Sequence, residues 1–168
     1  GLRFVLIDLP ETLAIQHWYL SFAMPGARLI GYQEYCNLGI QSSLEQADVL
    51  LLPPAVIGEL PAGIFDAAIN IRSFAEMTTS YVGFYVSQIE RILKKNGTFY
   101  CVNNLQKNTS GDQFRIENIP FDDNWCLDSA DPVPWQKHII ELVIRRTTEA
   151  DPGWRAGLRG VGATNRSI

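Results

Sequence analysis

FVLIDLPETLAI, Phe4 to Ile15, puts an acid where a short apolar run gives out and a proline opens a helical stretch. Phe4-Val5-Leu6-Ile7 has no polar interruption, as expected of a strand buried on both faces of a parallel sheet. Pro10 suits the first turn of a helix, where its missing N–H costs nothing. The helix runs from about Glu11 to Ala23, and Pro25-Gly26 ends it. Leu13, Ile15, Trp18, Tyr19 and Phe22 recur at helical spacing and are assigned to core packing. Asp8 therefore stands between strand and helix. An acid there either caps the helix and closes the turn, or offers its carboxylate to the paired hydroxyls of a ribose. From the residues alone, both readings stand.

Outward from this stretch, strands and helices take turns. Strands are expected at Ala27–Tyr32, Asp48–Leu52, Phe65–Ile71 and Gly97–Asn104, at a short Trp125–Leu127, and at His138–Arg146. Ser43–Ala47 reads as a helical turn. A long helix after Ile71 carries Tyr81, Tyr85, Ile89 and Ile92 on one face, with Val82, Val86 and Leu93 beside it. Lys94-Lys95-Asn96-Gly97 supplies cations for its negative end and a glycine to leave it. Leu105 to Asp123 is polar and without a clear period, the pattern of a functional or mobile loop. Such alternation implies an α/β fold with a mostly parallel sheet covered on both faces. Residues 1–148 form the domain, and residues 149–168, rich in Gly and charge, form a flexible tail.

Composition narrows the function classes. A chain of 168 residues, 46% hydrophobic, can bury one sizeable core, and its net charge of −4 argues against a general phosphate-backbone binder. No apolar run approaches the roughly 20 residues needed to span a bilayer. Cys36, Cys101 and Cys126 lack any C-x-x-C spacing, so they read as reduced core thiols of a cytoplasmic protein. The acidic pair Asp122-Asp123 has no ligand-rich neighbourhood, and no metal is expected. Asn108-Thr109-Ser110 and Asn165-Arg166-Ser167 fit the glycosylation pattern, which a cytoplasmic chain does not use.

In open α/β sheets ligands bind beyond the carboxyl ends of the strands, where Asp8, Asn70, Asn103 and Asn104 all fall. The segments VLIDLPETLAIQHWYL, FDAAINIRSFAEM and YVGFYVSQIERILKKNGTFYCVNN resemble the sugar O-methyltransferases, a branch of the class I S-adenosylmethionine-dependent methyltransferases. The likeness covers Arg3 to about Thr147. It implies a Rossmann-like three-layer sandwich whose last strand, here His138–Arg146, runs antiparallel. It implies that Asp8, with Leu9 beside it, holds the ribose of S-adenosylmethionine. Asn70 would stand near the methyl-transfer centre, with Ser73 and Glu76 just beyond it. Ser73, Asn103 and Asn104 are the candidate substrate-binding residues, and Glu76 and His138 the candidate bases. The implied partner is a sugar or glycan, with no nucleic acid or membrane span, on a scaffold that can form a homo-oligomer.

One departure accompanies the likeness. The family's first strand, its glycine-rich turn and its first helix have no counterpart in this sequence, and Gly157–Gly162, GLRGVG, follows no strand. The domain is therefore expected to be partial, truncated at its N-terminus, with the strands carrying Asp8 and Asn70 each left with an unpaired edge. A noncatalytic α/β binding module on the same scaffold, or a nucleotide-sugar or dinucleotide enzyme using Asp8, are the alternatives. Trp125, Trp135 and Trp154 could stack on a sugar ring but read first as packing residues.

Overall fold

The computed structural model describes residues 1–109 and 112–164 and divides the chain into two units, Gly1–Pro61 and Ala62–Ile168. Ser110 of the first glycosylation pattern, and the whole of the second, lie outside the described residues.

The first unit contains β1 (Phe4–Ile7), α1 (Pro10–Ala23), β2 (Leu29–Ile30), α2 (Tyr32–Gln46), β3 (Val49–Leu52) and a 3-10 turn at Pro54–Glu59. Its sheet has the order β1-β3-β2 with all strands parallel, and Phe4 to Ile7 pair in register with Val49 to Leu52. The middle strand is buried along its whole length, as an apolar run flanked by strands on both sides should be.

On α1 the expected core face is corrected. Leu13 is buried against Val49 and Leu51, with Leu6, Leu20 and Leu29 packed around them. Ile15, Trp18, Tyr19 and Phe22 are instead 63% to 69% exposed. At about 100° per residue, Leu13 and Leu20 share one line along the helix, and the aromatics lie about half a turn away from it. The helix is apolar nearly all round, so periodicity offered two faces and the leucine face docks. The strand expected at Ala27–Tyr32 shrinks to two residues because Tyr32 already opens α2. That helix is longer than the turn expected at Ser43–Ala47, and it is broken by Gly39 at φ 74°, a backbone state that glycine adopts at little cost.

The second unit contains β4 (Phe65–Ile71), a 3-10 turn at Phe74–Glu76, α3 (Thr79–Ile92), β5 (Leu93–Asn104), β6 (Gln106–Thr109), β7 (Asp112–Arg115), a 3-10 turn at Ile116–Asn118, β8 (Trp125–Val133), β9 (Gln136–Arg146) and α4 (Trp154–Thr164). The main sheet has the order β4-β5-β9-β8; β4 is parallel to β5, and β9 is antiparallel to both of its neighbours. Three strands thus run one way and β9 opposes them, as expected. Among the described residues β1 pairs only with β3 and β4 only with β5, so the strand leading to Asp8 and the strand carrying Asn70 each keep an unpaired edge, as expected.

The core of this unit lies on one face of the sheet. Phe99 and Cys101 of β5, with Leu142 and Ile144 of β9, meet Val82, Val86 and Ile89 of α3. Phe121 packs edge-on against Phe99, Trp125 and Trp154. The two buried indoles find acceptors, Trp125 Nε1 in Glu90 Oε1 at 3.2 Å and Trp154 Nε1 in the Asp122 carbonyl at 3.3 Å, as buried tryptophans generally must. Gly97 is required by close approach, because a β-carbon there would stand 2.9 Å from the Lys94 carbonyl oxygen and 3.2 Å from that of Phe65.

Two further expectations are corrected here. Leu105–Asp123 is not an irregular loop: it folds into the β6–β7 hairpin and a 3-10 turn, burying Phe114, Ile116, Ile119 and Phe121. The tail expected to be frayed carries α4, whose Trp154 and Leu158 enter the core, and the glycines of GLRGVG lie inside this helix. A helix with only two large apolar anchors among glycines and charges leaves a weak signal, which explains the misreading. Leu158→Ala should lower stability by about 2–5 kcal/mol, read as a fall in urea midpoint with unchanged m-value; a loss under 0.5 kcal/mol, on the order of a surface change, would restore the tail reading.

Candidate functional site

In the first unit, Asp8 follows the last residue of β1, and its carboxylate is half-buried. The Leu9 N–H donates to Oδ1 at 2.8 Å and Gln16 Nε2 donates to Oδ2 at 3.0 Å. Leu9 is the N-cap residue of α1 without a side-chain cap, and its own side chain is exposed. Asp8 is thus held by two neutral donors from the helix behind it, and no cation pairs with it among the described residues. A carboxylate has about four lone-pair sites, so each oxygen retains capacity for a further donor. Gln16 was not anticipated from sequence. Its signal was a polar side chain on the Leu13–Leu20 side of the helix.

In the second unit, the polar residues at the ends of β4 and β5 form one relay. The Ala75 N–H donates to Asn103 Oδ1 at 3.4 Å, Asn103 Nδ2 donates to Asn70 Oδ1 at 2.8 Å, and Asn70 Nδ2 donates to Ser73 Oγ at 2.5 Å. Asn103 is 0% exposed. The register sets Asn70 opposite Cys101, so Asn70, Cys101 and Asn103 share the core face by strand alternation. Burial pushes the Cys101 thiol up to about 12, against the pull of the Asn103 amide that donates to its sulfur. It therefore stays protonated and is no nucleophile.

Asn104 faces the other way, and its Oδ1 is buried without a hydrogen-bond partner among the described residues. Glu76 is exposed at the end of the 3-10 turn and pairs with Lys107 of β6. Lys107 lies in the stretch read as a loop, which hid this partner. His138 sits beside the same strand ends, with its carbonyl accepting the Leu105 N–H at 2.7 Å and its side chain exposed. Asn70, Ser73 and Asn103 are therefore brought together, with Glu76, Asn104 and His138 around them.

No protein-family model matches the chain, and no curated protein matches it in sequence. Solved structures do match in fold. A Haemophilus influenzae protein described as a methylase is 12% identical, covers 86% of this chain and 73% of its own, and superposes with a TM-score of 0.52. A 1,6-didemethyltoxoflavin-N1-methyltransferase from Burkholderia thailandensis, solved with bound 1,6-didemethyltoxoflavin and S-adenosylhomocysteine, is 14% identical over 87% of this chain and 72% of its own, with a TM-score of 0.48. A Sulfolobus solfataricus protein described as a type 11 methyltransferase is 19% identical over 88% and 86%, with a TM-score of 0.44. At such identities the likeness is one of architecture: the chain has the Rossmann-like methyltransferase fold.

Two measurements probe the relay. Asn103→Ala removes the buried amide that donates to the Asn70 side-chain oxygen, and should cost about 1–3 kcal/mol in urea unfolding. In the native protein near neutral pH, iodoacetamide should modify exposed Cys36 and spare Cys101, as mass spectrometry of the digested protein would record; fast labelling of Cys101 would refute its burial.

Proposed function

We propose that the protein is an S-adenosylmethionine-dependent O-methyltransferase acting on a sugar hydroxyl. The observation that carries this reading is Asp8: an acid at the end of a parallel strand, oriented by neutral donors only and still able to accept. Such a carboxylate can take both the 2′ and 3′ hydroxyls of a ribose. The fold supports the same reading, because known methyltransferases share it. In this reading Asp8 serves the adenosine end of the cofactor. Gly157–Gly162 lies inside α4 and cannot serve the methionine end as a turn between strand and helix.

S-adenosylmethionine, when bound, supplies an electrophilic methyl group on a sulfonium. The work of the chain is then to position the acceptor oxygen in line and to take its proton. Asn70 and Ser73 are held by the amide relay at the strand end, fit to orient an acceptor. Glu76, paired with Lys107, is our first candidate for the proton acceptor or for gripping sugar hydroxyls. His138, exposed at the adjoining rim, is the second.

Calorimetry tests the reading. S-adenosylmethionine and S-adenosylhomocysteine should release heat with the protein, NAD should not, and Asp8→Ala should weaken binding by at least about tenfold, the order expected when a charged acceptor is lost. Absence of heat with both methyl-cycle ligands would remove the proposal and favour a noncatalytic module. If binding holds, Glu76→Gln and His138→Gln identify the base: the one that abolishes the acidic limb of the kcat profile without moving cofactor affinity is the proton acceptor.

A further inference from the structure

The tryptophans of the second unit have opposite fates. Trp125 and Trp154 are buried in the core, whereas Trp135 is 99% exposed. It sits at the tip of the β8–β9 hairpin, where Val133 pairs with Gln136 and leaves Pro134 and Trp135 as a two-residue turn. Its φ is 70°. Proline followed by a positive φ is turn chemistry that favours glycine or asparagine at the second position. A bulky side chain there is strained, and this indole recovers nothing by burial. Folding alone gives no reason for it.

The strain has a counterpart next door. Arg72, one residue past β4, has φ 62°, so two of the three non-glycine residues with positive φ among the described residues converge on one place. The Arg72 N–H donates to the Val102 carbonyl at 2.7 Å, and Arg72 Nη1 donates to Gln136 Oε1 at 3.4 Å. The hairpin tip is thereby tied to the turn that carries Asn70 and Ser73. Strained residues gathered at a strand-end rim are a recognised mark of a ligand site.

Ligand chemistry follows from the groups present. A bare indole face takes a flat, weakly polar surface. The guanidinium and amide beside it would be left idle by a purely hydrocarbon ligand but suit a ring edged with hydroxyls. We infer that Trp135 is the stacking platform for the acceptor, a carbohydrate ring, with Arg72 and Gln136 gripping its hydroxyls. This rests on the reading of the β4 and β5 ends as the transfer site.

The test uses the intact chain and its Trp135→Gly and Trp135→Phe variants on an array of immobilised mono- and oligosaccharides, with S-adenosylhomocysteine calorimetry in parallel. The wild type should bind a subset of glycans, Trp135→Gly should lose at least about tenfold, and Trp135→Phe should keep part of the affinity. Glycine also relieves the turn, so Trp135→Gly should melt higher than the wild type, which separates lost binding from lost folding. Unchanged glycan binding by Trp135→Gly, no glycan bound by the wild type, or a lower melting temperature for Trp135→Gly would overturn the platform. S-adenosylhomocysteine heat without glycan binding sinks the platform alone. Glycan binding through Trp135 without that heat upholds it and sinks the methyltransferase reading.

Discussion

The buried amide of Asn103 sets the terms for the end of the second sheet. An amide with no exposure to water must have its donors and acceptor satisfied inside the protein, or the fold bears the full desolvation penalty. Asn103 meets this by reaching Asn70 on the neighbouring strand and the backbone of the turn that follows it. The turn from Arg72 to Glu76 is therefore a fixed object rather than a loose connection. Phe74 and Ala75, the buried residues of this turn, anchor it from the apolar side. Side chains projecting from this turn inherit its rigidity, which is what the acceptor site proposed above would require.

The first unit solves a different problem. Its acid is oriented at the mouth of a strand without a cation partner among the described residues. Gln16 achieves this because its amide supplies a donor without a compensating charge, whereas an arginine at the same place would have consumed the acceptor capacity of the carboxylate. The cost is visible on the amide itself, since Gln16 Oε1 is buried and has no protein partner among the described residues.

Much of the fold was legible because its strands are short, apolar and punctuated. FVLI, VLLL and FDAAINI sit within a residue of where their composition puts them, and the antiparallel sense of β9 followed from the family resemblance. Burial was less legible. A helix apolar on two faces, as α1 is, does not say which face docks, and the answer depended on where Leu13 and Leu20 met the sheet. The β6–β7 hairpin escaped because its strands carry Gln, Lys, Asn, Asp and Arg, with Phe114 as the main apolar anchor. Of the site, the polar strand ends could be named from sequence. Their bonding could not, because Asn70 and Asn103 are neighbours only through the register of two strands far apart in the chain. Lys107 and Gln16, which contact the two acids, lie in places where periodicity carries no information about polar partners.

The free side of β4 has a consequence of its own. Seven residues long, it carries one charge, Asp66, and turns Ile69 and Ile71 outward to water. Soluble β-proteins ordinarily guard such a border with lysines, prolines or bulges; among the described residues β4 has only an irregular register between Phe65 and Ala67, at its start. Within the second unit, the backbone groups of Ala67 to Ile71 on that side therefore have no ladder partner among the described residues and are open to a further strand.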